Sequence, residues 1–157
     1  LRVRMRAELK KLQRELGITF VHVTHGQDEA LALADEIVVM NNAKIEQAGK
    51  TRVVFDAPNT AFVARFLGSH NVVSMPEGMV AVRSDALKVT NDKSAKLPGT
   101  ITNIEYQGTH VAVTASIANE QEVTALLSDK DFFGNPKELG EVVGLDWEAS
   151  AAHALAS

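Results

Sequence analysis

The sequence contains no cysteine. Disulfides and thiolate metal centres are thereby excluded, and a reducing compartment is compatible with the composition. Aromatic residues make up only 5%, and after Phe66 they are Tyr106, Phe132, Phe133 and Trp147 alone. So few rings argue against a platform on which single-stranded bases stack. No stretch approaches the roughly 20 apolar residues that span a bilayer. The opening residues carry Arg2, Arg4 and Arg6 but no apolar run follows, so no signal peptide is expected. Contact with a membrane is expected only through a partner protein.

What is present is the composition of a folded chain: 45% hydrophobic and 23% charged residues over 157 positions, enough for one ordinary domain or two small ones. The net charge of −4 is unevenly spread. Residues 1–68 hold ten Lys/Arg against eight Asp/Glu, whereas residues 69–157 hold six against twelve. That shift predicts two units, and the acidic second one is ill suited to phosphate backbones, so no nucleic-acid partner is expected.

Leu1, Met5, Leu9, Leu12 and Leu16 recur at three- and four-residue steps and predict one face of a helix, with basic residues on its wet side and Gly17 closing it. The chain thus begins inside a helix and is expected to be a fragment of something longer. Ile18 to Val23 has the β-branched and aromatic content of a short buried strand. Thr24 with Gln27 has a capping-box spacing, followed by Asp28 and Glu29 in a first helical turn. Ile37–Met40 and Lys44–Gln47 read as strands joined at Asn41-Asn42, and Asn59 or Thr60 can cap a helix bearing Phe62, Val63, Phe66 and Leu67. Helix, strand, helix, strand is α/β in character. After Gly68 the rhythm changes to short β-type runs at 79–83, 87–90, 99–106, 110–116, 122–127 and 142–146, mostly separated by Gly or Pro. Closely spaced strands of this kind predict a small barrel or sandwich, with Val80, Val82, Val111, Val113 and Trp147 in its core.

His25 is the residue with most chemical potential. It falls between the predicted strand and the first turn of the next helix, where free amides and the helix dipole favour an anion and a neutral imidazole. A neutral ring there can donate from one nitrogen and accept on the other, toward a phosphate or an attacking water. His70, His110 and His153 lie far apart with no spacing that favours zinc, so no metal site is expected.

The run Val23-Thr24-His25-x-Gln27-x-Glu29-Ala30-Leu31-x-Leu33-Ala34-Asp35-x-Ile37-x-Val39-Met40 resembles the switch-histidine region of the ATPases of ABC importers of the carbohydrate, polyamine, iron and sulfate class. Upstream, Leu1-Arg2-x-x-Met5-Arg6-x-Glu8-Leu9 resembles the helix after the D-loop. Ala61-Phe62-Val63-Ala64-x-Phe66-Leu67-Gly68-x-x-Asn71 resembles the exit from the nucleotide-binding domain. Val80-Ala81-Val82-Arg83, Gly99-x-Ile101, Glu105-Tyr106-x-Gly108 and the closing Val143-Gly144-Leu145-x-Trp147 with His153 resemble the appended TOBE domain, most nearly of the polyamine or iron branch.

The resemblance implies an α/β end of a P-loop ATPase domain over 1–68, including the switch-histidine loop, and an all-β OB-like TOBE barrel over 69–157. It implies that His25 contacts the γ-phosphate of ATP, with Mg, in a complete subunit that pairs with a second copy and with transmembrane permease subunits on the cytoplasmic face of a bacterial inner membrane. The sequence holds no phosphate-cradling glycine loop, no Leu-Ser-Gly-Gly-Gln signature and no Walker B acid pair, so these residues alone are expected to be inactive and to bind no nucleotide. Gly26 stands where the family usually has aspartate, Asn42-Ala43 replaces its glycine turn, and Lys50-Thr51-Arg52-Val53 replaces Thr-Pro-Glu-Glu. The alternative to an ATPase subunit is a non-catalytic barrel that senses a small ligand or docks on a partner.

Overall fold

The leucine periodicity winds Arg2–Leu16 into helix α1 in the computed structural model, which describes residues 2–92 and 94–156. Leu1, the first member of the predicted stripe, lies outside the described residues. Gly17 ends the helix at φ +64°, its N–H donating to the Gln13 carbonyl at 3.0 Å. The rest of the stripe, Met5, Leu9, Leu12 and Leu16, is exposed.

The predicted strand at 18–23 is not formed. This segment is extended chain with no ladder partner, and Val21 and Val23 are 89% and 92% exposed. β-branched side chains make a strand only where a neighbouring backbone pairs with it, and no described strand does so here. The capping expectation also changes. Helix α2 (Gln27–Leu33) has Gly26, not Thr24, at its N-cap, and no side chain caps it. A hairpin follows, β1 (Glu36–Asn41) antiparallel to β2 (Lys44–Lys50), burying Ile37 and Val39. Its two-residue loop, Asn42 at φ +47° and Ala43 at φ +61°, has the left-handed pair that a type I′ turn requires. Helix α3 (Thr51–Asp56) was not anticipated. Thr51 anchors it, donating N–H to Asp35 O at 3.1 Å and its hydroxyl to Ala34 O at 2.7 Å, and Val54 is buried.

The contacts divide the chain into two units, 1–57 and 58–157, where the change in sequence rhythm suggested residue 68. The difference is helix α4 (Ala61–Phe66), capped by Thr60 through the Val63 N–H as expected. Its Ala64 packs with Val72 and Ala81 of the strands that follow, so by packing it belongs to the second unit.

Those strands are β3 (His70–Met75) and β4 (Gly78–Arg83), joined by β10 (Ala152–Ala154) in the order β10-β4-β3. A five-stranded sheet runs β5-β9-β6-β7-β8, from β5 (Lys88–Thr90), β6 (Leu97–Tyr106), β7 (His110–Ser116), β8 (Glu122–Ser128) and β9 (Val142–Asp146). All described pairings are antiparallel. In β7 the period-two pattern puts Val111, Val113 and Ala115 inside at no more than 1% exposure. They meet Val73, Val82, Ile101, Val123, Leu145 and Trp147 in one core, with Val80 partly buried against it. A register shift between Ile101 and Asn103 lets the long β6 bend around this core. Helix α5 (Asp129–Gly134), capped by Ser128, sends Phe132 into it. The result is an OB-like β fold.

Candidate functional site

The residue singled out in the sequence, His25, sits at a bend between the extended segment and α2, with its imidazole exposed. Around it, the neighbours are tied to one another. The Thr24 hydroxyl donates to Glu29 Oε2 at 2.8 Å and accepts the Gly26 N–H at 3.0 Å. His22 Nε2 lies 3.4 Å from the same Glu29 oxygen. The Thr24 hydrogen bond, then that of His22, hold the Glu29 carboxyl below its ordinary value, with Arg6 adding a weaker attraction. Sequence reasoning gave Thr24 to the cap, Glu29 to the first helical turn as a charge the dipole favours, and no role to His22. The signal was available: an extended segment puts residues 22 and 24 on one side, and Glu29 falls in the first turn beyond.

The other histidines are dispersed within the second unit: His70 opens β3, His110 opens β7 and His153 lies in β10. Among the described residues, no group of three His, Asp, Glu or Cys side chains is placed to hold a metal ion. No described helix is long and apolar enough to cross a membrane.

The second unit also carries a cleft of about 540 Å³ whose walls include Asp85, Lys88, His110, Asp131, Lys137 and Glu148. Its cations are already engaged. Lys88 Nζ meets Glu148 Oε1 at 2.5 Å, and the buried Lys137 donates to Asn91 Oδ1 at 2.6 Å with Glu141 at 3.5 Å. Of these residues only His110 was weighed from the sequence, as a metal ligand, because the strands and loops that converge here are distant along the chain.

Residues 80–155 match the family model of the TOBE domain. The spermidine/putrescine import ATP-binding protein PotA of Bacillus thuringiensis (strain Al Hakam) is 46% identical over 112 residues, 69% of this chain and 34% of that protein. PotA of Thermobifida fusca (strain YX) is 29% identical over an alignment covering 99% of this chain and 49% of that protein. PotA of Acidothermus cellulolyticus (strain ATCC 43068 / DSM 8971 / 11B) is 50% identical over 86 residues, 52% of this chain and 22% of that protein. The chain spans about a third of the length of the Bacillus relatives it matches and about half of the Thermobifida one. Similarity to these ATP-binding subunits together with the TOBE match places the chain in the ABC-transporter ATP-binding subunit family, as a piece that carries the TOBE domain.

Proposed function

We propose that the chain is part of the ATP-hydrolysing subunit of a polyamine-type ABC importer, and that His25 is the imidazole that meets the γ-phosphate of ATP. The observation that carries this is the exposed ring of His25 on a bend whose two flanking residues are fixed by hydrogen bonds. Phosphoryl transfer depends on positioned donors and an oriented water, and the ring nitrogens of a neutral histidine can serve either. The phosphate-cradling loop, the magnesium ligands and the acid that orients water would come from elsewhere in the complete subunit. His25 would add one charge-sensing contact to the terminal phosphate. A second subunit and the membrane-embedded permease are the partners this reading requires, at the cytoplasmic face of the membrane. Substrate choice would rest with the permease and an external binding protein.

In the complete subunit, His25→Ala should cut ATP turnover by about a hundredfold or more while ATP still binds, as removal of a positioned catalytic group does. Unchanged turnover would remove the assigned role. The cleft beside Lys88 and Lys137 favours a second reading, a small-ligand sensor, which requires heat of binding with a small polar solute in calorimetry on the chain itself.

A further inference from the structure

A helix whose N-cap is glycine lacks the side chain that usually serves its first-turn amides. In α2 the shortfall is met indirectly. Glu29 occupies the third helical position, from which a capping-box glutamate reaches back to the N-cap N–H. Here the reach is relayed: Glu29 Oε2 takes the Thr24 hydroxyl proton, and the Thr24 oxygen, its proton thus committed, accepts the Gly26 N–H. The relay grips the chain on both sides of residue 25 and leaves the His25 ring unengaged by either group. His22 faces the same carboxylate oxygen from the extended segment, and Arg6 contributes from α1.

We propose that Glu29, through Thr24 and with His22 as its counter-group, is a positioning residue that fixes the backbone from which the His25 imidazole projects. The grip itself stands on the geometry alone; its consequence for turnover rests on the role given to His25 above. Gly26 suits this arrangement. A Cβ there would lie 3.4 Å from Thr24 Oγ1 and 3.8 Å from Glu29 Oε2, so an aspartate would set a second carboxylate beside the first and compete for the same donors. In this chain Glu29 has that position to itself.

Two measurements separate the grip from its consequence. In NMR spectra of the 157-residue chain, Glu29→Gln keeps an acceptor for Thr24 but removes the charge. It should shift the His22 ring signals, because His22 Nε2 loses the carboxylate 3.4 Å away. Thr24→Val should shift the Gly26 amide and the His25 ring signals, and Thr24→Ser should restore them. Unmoved His22, Gly26 and His25 signals together would overturn the proposal. In the complete subunit, Glu29→Ala and Thr24→Val should each lower kcat by roughly tenfold with little change in KM for ATP, as expected when a reacting group is misaligned rather than removed. The two changes together should cost no more than either alone, and Glu29→Ala should have no further effect on a His25→Ala background. Additive losses, or a loss confined to KM, would count against positioning even with the NMR grip intact. Should His25→Ala itself leave turnover unaltered while the NMR shifts appear, the reading of His25 fails and the grip survives.

Discussion

Asn71 on β3 pairs with the backbone of Thr124 on β8 through both ends of its side-chain amide. Nδ2 donates to Thr124 O at 2.9 Å and Oδ1 accepts from Thr124 N at 2.7 Å. One buried side chain thus does for the free edge of β8 what a neighbouring strand would do, and Gln121 adds a second tie from its amide to Val72 O. Removing the amide leaves a donor and an acceptor of Thr124 without partners in a poorly solvated place, at about 1–3 kcal/mol for each. Asn71→Ala should therefore lower stability by roughly 2–6 kcal/mol, read as a fall in the urea midpoint. Asn71→Asp keeps the acceptor and loses the donor, setting a carboxylate against the Thr124 carbonyl. It should be at least as damaging at neutral pH and should recover partly when the acid is protonated. A midpoint for Asn71→Ala within error of the parent would show that the edge holds without this pairing.

The β1–β2 turn is built on a residue that resists it. Ala43 holds φ +61°, a conformation that costs a residue with a Cβ about 1 kcal/mol relative to glycine. Ala43→Gly relieves this strain but raises the entropy of the unfolded chain, so the gain should be a fraction of 1 kcal/mol. Slower amide exchange across Glu36–Lys50, with the barrel amides unchanged, is the expected result. Faster exchange would mean the turn is not held in the I′ form.

Much of this architecture could be read from residue order, and what escaped did so for physical reasons. The leucine stripe of α1, the Thr60 cap and the alternation of Val111, Val113 and Ala115 are local patterns that tertiary structure left intact. The run Ile18–Val23 looks like a strand because of its side chains, but strand formation is a property of pairs, and no described strand lies beside it. Strand β3, with Asn71 and Ser74 among its valines, and the three-residue β10 are too polar or too short to signal themselves. The helix after Ser128 did carry a signal, a serine followed three residues later by Asp131, whose N–H the serine oxygen accepts at 3.1 Å. At the candidate site, His25 was visible because it punctuates a strand-like run and a helix. The Thr24–Glu29 relay was not, because Thr24 equally satisfies the pattern of a direct cap, and Gly26 holds that place.

Gly144 in β9 lies under the turn that follows β5. A Cβ built on it would come within 2.5 Å of both Asp92 O and Ala95 Cβ, closer than any real contact, and one of those is backbone. Gly144→Ala must therefore push that turn outward, with overpacking costs of about 1–3 kcal/mol. The loss should appear in the thermal midpoint. Gly134→Ala, with nothing within 4 Å of the added methyl, serves as the control and should change far less. Equal effects at the two positions would mean that the turn yields freely.

Acid should unfold the second unit through a definite set of carboxylates. Asp146 is held below its ordinary value of 3.8, first by the Lys96 ammonium and then by the Trp147 N–H. Asp85 is lowered by Arg83, Asp92 by the backbone and hydroxyl of Ser94, and Glu148 by Lys88. A carboxyl whose folded pKa is depressed binds its proton more weakly folded than unfolded. Its stabilisation is therefore complete above the unfolded value and drains away as pH falls through the folded one. Stability should stay level from neutrality to about pH 5, since the unfolded carboxyls titrate nearer 3.8 and 4.5, and then decline steadily. These groups are exposed, so each share is small and salt should shrink it. Lys88 runs the other way: Glu148 raises its pKa, so its share persists through neutral pH and is lost only in strong alkali. Urea midpoints taken from pH 7 to pH 3 should show the acid decline. Asp146→Asn should be destabilising at pH 7, and its gap to the parent should narrow as the pH falls below about 4, because the parent then progressively loses the same charge. A constant gap between the two curves across that range would mean that Asp146 acts through packing and not through its ionisation.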